Sequence, residues 1–210
     1  MRPESIKCGI IFLLILLVAP LASLTLELDL RFENISSQDG LSSDWARCII
    51  QDRLGFLWIA TDVGLDRFDG YSFVRYRADP SDPGSINQDR IGIFRETSQG
   101  HIWLHSGNGI DIFDPYKGKV LRHVAKDPFG YGIWDMEAIR NGEMWIGAWP
   151  AKLLRFEGAS GRMLPLPEPL RNVDGYIILE DNNGDLWIAT QTGAQNDLVR
   201  YTPSSGRLRR

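Results

Sequence analysis

Two groups of residues in this sequence are of types that bind metal ions in proteins. His101 and His105 are four residues apart, the spacing at which a helix presents two zinc ligands on one face. The surrounding residues favour a strand, in which the same spacing separates the two imidazoles by about 13 Å, too far to share an ion. Asp62, Asp66 and Asp69 lack the alternate spacing of a calcium-binding loop and fit solvated turns and strand ends. We therefore expect neither a metal site nor a cofactor.

Residues for acid–base or nucleophilic catalysis are few. No Ser-His-Asp arrangement has a recognisable context, and Cys48 falls in a predicted strand, where we expect a small buried side chain. A lyase or glycosidase would use acids, or a His and a Tyr, around a channel mouth. Asp44, His105 and Tyr176 keep such an enzyme open as an alternative. The expectation for this chain is that it has no catalytic residues.

Tryptophan recurs through the chain at a nearly constant interval. Trp58, Trp103, Trp145 and Trp187 are separated by 45, 42 and 42 residues, within the segments GFLWIAT, GHIWLHS, GEMWIGA and GDLWIAT. Each has a glycine three residues before it and an apolar residue immediately before it. Periods of about 40 to 50 residues are typical of β-propellers and of some helical arrays. The short β-rich runs between Gly, Pro, Asp and Asn favour the propeller, with four strands in each unit.

This repeat predicts an all-β fold, a partial β-propeller of about four four-stranded blades in an open arc, preceded by an N-terminal hydrophobic helix. The tryptophans would fill the space between blades and would not form a sugar platform. An additional strand is predicted over Leu28 to Ser36. The predicted boundaries are 1–26 for a leader, 27–44 for the N-terminal strand and the connection into blade 1, 45–80, 81–127 and 128–170 for three blades, and 171–210 for an incomplete fourth.

An open arc has consequences for assembly. One side of the first blade and one side of the last would expose apolar faces that a closed ring covers. We therefore expect self-association through the open edges, or a protein partner that covers them.

The N-terminus has the pattern of an export signal. Arg2 and Lys7 precede 19 uncharged residues from Cys8 to Leu26. The length is close to the roughly 20 residues that span a bilayer, so a cleaved signal peptide and a retained anchor both remain open. The pattern predicts a periplasmic location, with the inner membrane as a partner through residues 8–26 if the segment is not cleaved.

The overall charge excludes one class of partner. The chain has 210 residues and a formal net charge of −4. Nucleic-acid binding depends on clustered Lys and Arg that neutralise phosphates. We therefore expect no nucleic-acid partner.

Several segments, taken in order, resemble the two-component regulator propeller repeats. They are RFENISSQDGLSS, GLSSDWARCIIQDRLGFLWIATDVGLDRFDGYSF and RADPSDPGSI. The resemblance covers most of residues 31–210, with departures at WLHSGNG and WIGAWPAKLLRF. It implies a signal or anchor, a periplasmic sensor propeller, and an output such as a histidine kinase or a diguanylate cyclase further along a full-length relative. This chain would then be a fragment without an output domain.

Blade topology indicates where a ligand would bind. In each blade the connection into the first strand and the connection from the second to the third strand lie on the same face. Aromatic rings and arginines on a concave surface can stack on sugars and bind carboxylates. The candidate ligand-binding residues are Trp45, Arg47, Arg90, Trp134 and Tyr176 in the first set of connections, and His105 and Trp149 in the second.

These patterns together predict an extracytoplasmic sensor region that binds a small molecule or an oligosaccharide. The resemblance makes carbohydrate-responsive signalling the expected setting. A protein-interaction scaffold is the alternative, and some of the candidate aromatics could instead cap the core between blades.

Overall fold

A computed structural model describes residues 32–107, 109–124, 132–148, 152–192 and 195–210 of the chain. The chain divides into two units, Met1–Asn34 and Ile35–Arg210. In the first unit only residues 32–34 are described, so the predicted leader and N-terminal helix lie outside the described residues. Within the described part, no helix has the length and apolar character needed to cross a membrane.

The second unit is all-β and contains four antiparallel sheets of four strands each, in the strand order expected for propeller blades. In every sheet the strands lie side by side in chain order. Blade 1 consists of β1 (Ala46–Gln51), β2 (Leu57–Thr61), β3 (Gly64–Phe68) and β4 (Phe73–Tyr76). Blade 2 consists of β5 (Ile91–Glu96), β6 (Ile102–Ser106), β7 (Gly109–Asp114) and β8 (Lys119–Val124).

The last two blades repeat this plan. Blade 3 consists of β9 (Ile133–Ala138), β10 (Glu143–Ala148), β11 (Lys152–Glu157) and β12 (Met163–Leu164). Blade 4 consists of β13 (Gly175–Glu180), β14 (Leu186–Thr192), β15 (Gln195–Thr202) and β16 (Arg207–Arg209). Two short 3-10 turns, Ser37–Asp39 and Glu168–Leu170, precede blades 1 and 4. The predicted all-β fold of four-stranded blades is confirmed.

A tight turn joins the first two strands of each blade. In blade 1 the Asp52 Oδ1 accepts hydrogen bonds from the backbone N–H groups of Leu54 and Phe56, and Gly55 has a φ of +91°. That backbone conformation is costly for residues with a side chain, which explains the glycine three residues before each tryptophan. We call the end of the blades that carries these turns the turn face.

Three of the four repeat tryptophans fill the space between successive blades. Trp58, Trp103 and Trp145 are 0–2% exposed and lie in three separate clusters of buried residues, between blades 1 and 2, 2 and 3, and 3 and 4. Each ring is directed toward the following blade. This confirms that these three side chains belong to the core.

Blade 4 has an uncovered apolar face. Trp187 is only half-buried. On the same side of the sheet, Ile177, Leu179 and Leu198 are 49%, 57% and 56% exposed. Among the described residues, no cluster of buried side chains joins blade 4 to blade 1. As far as the described residues go, the four blades thus form an arc in which no neighbouring blade covers this face.

Buried aspartates fix the segments that lead into blades 1 and 2. Asp66 is 0% exposed and accepts hydrogen bonds from the backbone N–H and the hydroxyl of Ser42, at 3.1 and 2.6 Å. Asp111 is 2% exposed and accepts the backbone N–H of Asn87 at 2.7 Å. The expectation that Asp66 is a solvated acid is therefore wrong. Its carboxylate is buried because it accepts hydrogen bonds from polar groups of the segment before blade 1, which would otherwise lack hydrogen-bond partners.

Two further expectations are corrected. The predicted strand over residues 28–36 is absent from its described part, 32–36, because Ser36 instead caps the turn at Ser37–Asp39. Its hydroxyl accepts the Gln38 N–H at 3.2 Å, and its own N–H donates to Asp39 at 2.8 Å. Blade 4 was predicted to be incomplete, but Arg207–Arg209 forms a fourth, outermost strand that pairs with β15.

Candidate functional site

The innermost strands of all four blades carry a β-bulge at the same position. In each case the pairing with the second strand skips one residue near the start of the innermost strand. The four skipped residues are Arg47, Gly92, Trp134 and Tyr176. A bulge directs a side chain out of the regular alternation of the strand, and bulges are common beside functional sites. Three of the seven predicted ligand-binding residues occupy these positions.

Successive innermost strands contact one another, so the bulges follow each other along the inner edge of the arc. Close packing accompanies the bulge of blade 4. A Cβ atom on Gly147 of β10 would lie 2.2 Å from the Tyr176 carbonyl oxygen. Glycine is therefore required for β10 to approach Tyr176 this closely. We call this end of the blades, opposite the turn face, the bulge face.

Asp62 brings two of the predicted residues together on the bulge face. The Arg47 Nε donates to the Asp62 Oδ1 at 2.5 Å, and the Arg90 Nε lies 3.6 Å from the same oxygen. The hydrogen bond from Arg47 and the charges of both arginines hold the pKa of Asp62 below its usual range. Arg90 is 71% exposed, so it retains donors for an anionic or hydroxyl-bearing ligand.

The aromatic candidates on this face are accessible. Trp45 immediately precedes β1 and is 73% exposed, and Trp134 in β9 is 57% exposed. Tyr176 in β13 is half-buried. Exposed aromatic rings at this level provide flat apolar surfaces of the kind that stack on sugar rings.

The two remaining candidates differ from this group. His105 was assigned to a connection as a ligand-binding candidate, although the residues around it favour a strand. It lies within β6, where it pairs with Ile93 and Ile110 because β6 continues to Ser106. Trp149 lies outside the described residues. The structure therefore places Arg47, Arg90, Trp45, Trp134 and Tyr176 on the bulge face and His105 in the adjoining strand.

Charged residues continue along the innermost strands below the bulges. Arg95 and Asp135 form an ion pair between blades 2 and 3 at 3.3 Å. Glu137 accepts the backbone N–H of Glu180 at 3.1 Å. Burial of the Glu137 carboxyl, with the neighbouring acids Asp135 and Glu180, raises its pKa. These contacts fix the innermost strands relative to one another and so set the spacing of the bulges.

Sequence reasoning missed Asp62 as a member of the site. It was assigned to a solvated turn, whereas it joins Arg47 of blade 1 to Arg90, which leads into blade 2. One signal could have identified Asp62. It directly follows the second strand of blade 1, at the same end of the blade as the start of the first strand, where Arg47 lies.

The sequence comparison identifies the repeat type. Residues 40–63, which span the start of blade 1 and its first two strands, match the family model described as two component regulator propeller. The chain carries a two-component regulator propeller repeat. The resemblance inferred from the sequence is thereby confirmed.

One curated protein matches part of this chain. Histidine kinase P4 of Formosa agariphila is 43% identical to it over 56 residues. The matched region is 27% of this chain and 4% of that protein.

Solved structures share the blade architecture. The extracellular domain of the hybrid two component system BT4673 from B. thetaiotaomicron superposes with a TM-score of 0.60 at 23% identity, over 85% of this chain and 22% of that one. Virginiamycin B lyase from Staphylococcus aureus superposes with a TM-score of 0.59 at 19% identity, over 84% and 57%. The chain thus spans about a fifth of that extracellular domain and somewhat over half of the lyase. At these identities the similarity establishes the fold alone.

Proposed function

We propose that the chain is a ligand-sensing propeller region of an extracytoplasmic signalling protein, and that it binds a small molecule or an oligosaccharide on the bulge face. The observation that carries this proposal is the set of four aligned bulges. Three of them hold Arg47, Trp134 and Tyr176, residue types that bind and stack on sugars and carboxylates.

The comparisons support the sensory role. The BT4673 structure is an extracellular domain of a two component system, and the curated relative is a histidine kinase. A sensor needs a binding surface but no reacting groups, so on this proposal the chain itself has no catalytic activity.

Isothermal titration calorimetry of the full chain against a panel of neutral and acidic oligosaccharides tests this proposal. Trp134→Ala should weaken binding of the identified ligand by about tenfold or more, if stacking of a sugar ring resembles that of a nucleobase on an aromatic side chain, which contributes about 1–3 kcal/mol. Tyr71→Ala is the matched control, because Tyr71 is also exposed, at 96%, but lies between β3 and β4 on the turn face. Equal weakening by both variants, or no binding across the panel, would contradict the proposal.

Export is part of the same proposal and rests on the N-terminal sequence. Residues 1–40 fused to a reporter that is active only in the periplasm should give activity. A stable but inactive fusion protein would place the chain elsewhere.

A protein-interaction role is a second candidate, favoured by the uncovered apolar face of blade 4. Ile177, Leu179 and Leu198 lie on the side of the sheet that blades 1 to 3 use for packing on the next blade. On this proposal a second copy of the chain covers the face. Recovery of a partner or an oligomer without affinity for any small molecule would favour this role over ligand sensing.

A further inference from the structure

Arginine stands opposite the repeat tryptophan in three of the four blades. The residues concerned are direct cross-strand neighbours on the second and third strands. The pairs are Trp58 with Arg67, Trp145 with Arg155, and Trp187 with Arg200. In blade 2, Ile112 takes the place of the arginine.

In blades 3 and 4 a carboxylate of the same blade neutralises this arginine. The Arg155 Nε donates to the Glu143 Oε2 at 2.7 Å, and the Arg200 Nε donates to the Asp185 Oδ2 at 2.7 Å. Glu143 and Asp185 both lie two residues before the tryptophan of their blade. The repeat therefore contains a fixed position for a carboxylate beside this guanidinium.

Blade 1 keeps the arginine but lacks the acid. Phe56 occupies the position two residues before Trp58, and the Arg67 Cζ lies 4.8 Å from the Phe56 ring centroid and 5.9 Å from that of Trp58. The Arg67 Nε is buried and has no hydrogen-bond partner among the described residues. No described carboxylate lies within ion-pair distance of it. The two rings hold the guanidinium in place while a donor remains unused.

A cavity of about 140 Å³ opens beside this guanidinium on the turn face. Leu54 and Tyr116, which are 57% and 68% exposed, contribute to its lining together with Arg67. The volume is well below the roughly 300–1,000 Å³ of pockets that enclose whole ligands. It suits a single functional group with a short apolar chain behind it.

The acids that line the cavity are already engaged. Asp52 accepts hydrogen bonds from the indole N–H of Trp58 at 2.8 Å and from two backbone N–H groups. Glu96 pairs with Arg53, whose Nε donates to the Glu96 Oε1 at 2.9 Å. Arg67 is thus the charged group of the lining that has no hydrogen-bonded partner among the described residues.

We propose that this cavity is a carboxylate-binding site, in which an external carboxylate takes the position that the side chains of Glu143 and Asp185 hold in blades 3 and 4. The carboxylate belongs to a glutamate or aspartate side chain of a peptide or to an acidic sugar. The carbon chain behind it packs against Leu54 and Tyr116 at the rim. The site lies on the face opposite the bulges and is independent of the ligand site there.

The test uses the full chain labelled with ¹⁵N at tryptophan and follows the indole N–H signal of Trp58 by NMR. At constant ionic strength, N-acetylglutamate amide or glucuronate should shift this signal in a saturable manner. Their neutral counterparts, N-acetylglutamine amide and glucose, should not. A response to the peptide acid alone assigns the site to a protein partner, and a response to the sugar acid alone assigns it to an acidic carbohydrate.

Two substitutions distinguish binding at this site from nonspecific electrostatic attraction. Arg67→Met keeps the aliphatic stem and should weaken carboxylate binding about ten- to a hundredfold. Phe56→Glu supplies an internal carboxylate as in blade 3 and should abolish the response, whereas Phe56→Gln should retain it. Equal shifts from the neutral compounds, an unchanged response in Arg67→Met, or no response to either acid would overturn the proposal.

Discussion

The buried tryptophan of blade 3 and its half-buried counterpart in blade 4 allow a matched test of the open arc. Trp145 and Trp187 each donate an indole hydrogen bond to a carboxylate, at 3.0 and 2.9 Å. Each also lies 5.6 Å from the guanidinium carbon of its cross-strand arginine. The two sites therefore differ chiefly in whether another blade packs on the ring.

The expected costs of truncation follow from burial. Removing a large aromatic side chain that buries about 200 Å² forfeits about 5 kcal/mol at about 25 cal/mol per Å², and measured losses are about 3–5 kcal/mol. Trp145→Ala should cost this amount because the ring is 2% exposed. Trp187→Ala should cost about half as much, roughly 1.5–2.5 kcal/mol, because part of the ring is already exposed and no enclosed cavity is left.

Urea denaturation of the two variants and the parent, followed by circular dichroism, measures the difference. The protein concentration must be low enough that light scattering shows a monomer, since association would cover Trp187. Equal losses of unfolding free energy in the monomer would show that another element packs on Trp187, and the open arc would be wrong.

Three other expected outcomes follow from the contacts. Glu137→Gln should raise the melting temperature at pH 7, because the raised pKa of Glu137 makes its ionisation in the folded state unfavourable. The gain in melting temperature should disappear below about pH 4, where the carboxyl is protonated in both the folded and the unfolded state, and a gain that persists there would contradict this. Asp66→Ala should cost about 1–3 kcal/mol in urea denaturation, because it leaves the N–H of Ser42 without its acceptor, and a loss under 0.5 kcal/mol would be too small for this role. Leu179→Lys should reduce self-association, measured by size-exclusion chromatography with light scattering. Leu121→Lys, at a residue that is 45% exposed on an outer strand, should not reduce it. A parent chain that stays monomeric at every concentration would contradict self-association.

The blades could be predicted from sequence because each one is specified by local signals. The Gly-x-x-Trp spacing places a tight turn and the second strand of every blade, and short runs between turn residues place the others. In the described part of the additional predicted strand, residues 32–36, a local contact prevails instead, since Ser36 and Asp39 cap a turn. The short outer strand of blade 4 was missed because three residues give little periodicity.

The functional surfaces were harder to predict from the sequence because they depend on pairing between strands. Arg47 becomes a bulge residue only because Ala46 pairs with Thr61 and Cys48 with Ala60. The unpaired state of Arg67 likewise depends on which residue stands beside its guanidinium. A comparison of GFLW with GEMW and GDLW shows that blade 1 lacks the acid. That the acid would lie beside the arginine becomes clear only from the pairing of the second and third strands.

Hydrogen exchange with mass spectrometry, with and without a bound neutral oligosaccharide, tests whether the ligand site lies on the bulge face. Ligand binding on the bulge face should slow exchange in peptides around Arg47, Trp134 and Tyr176. Exchange in the turn-face peptides 52–55 and 97–100 should stay unchanged. Protection confined to those turns, with the bulge peptides unaffected, would contradict the account.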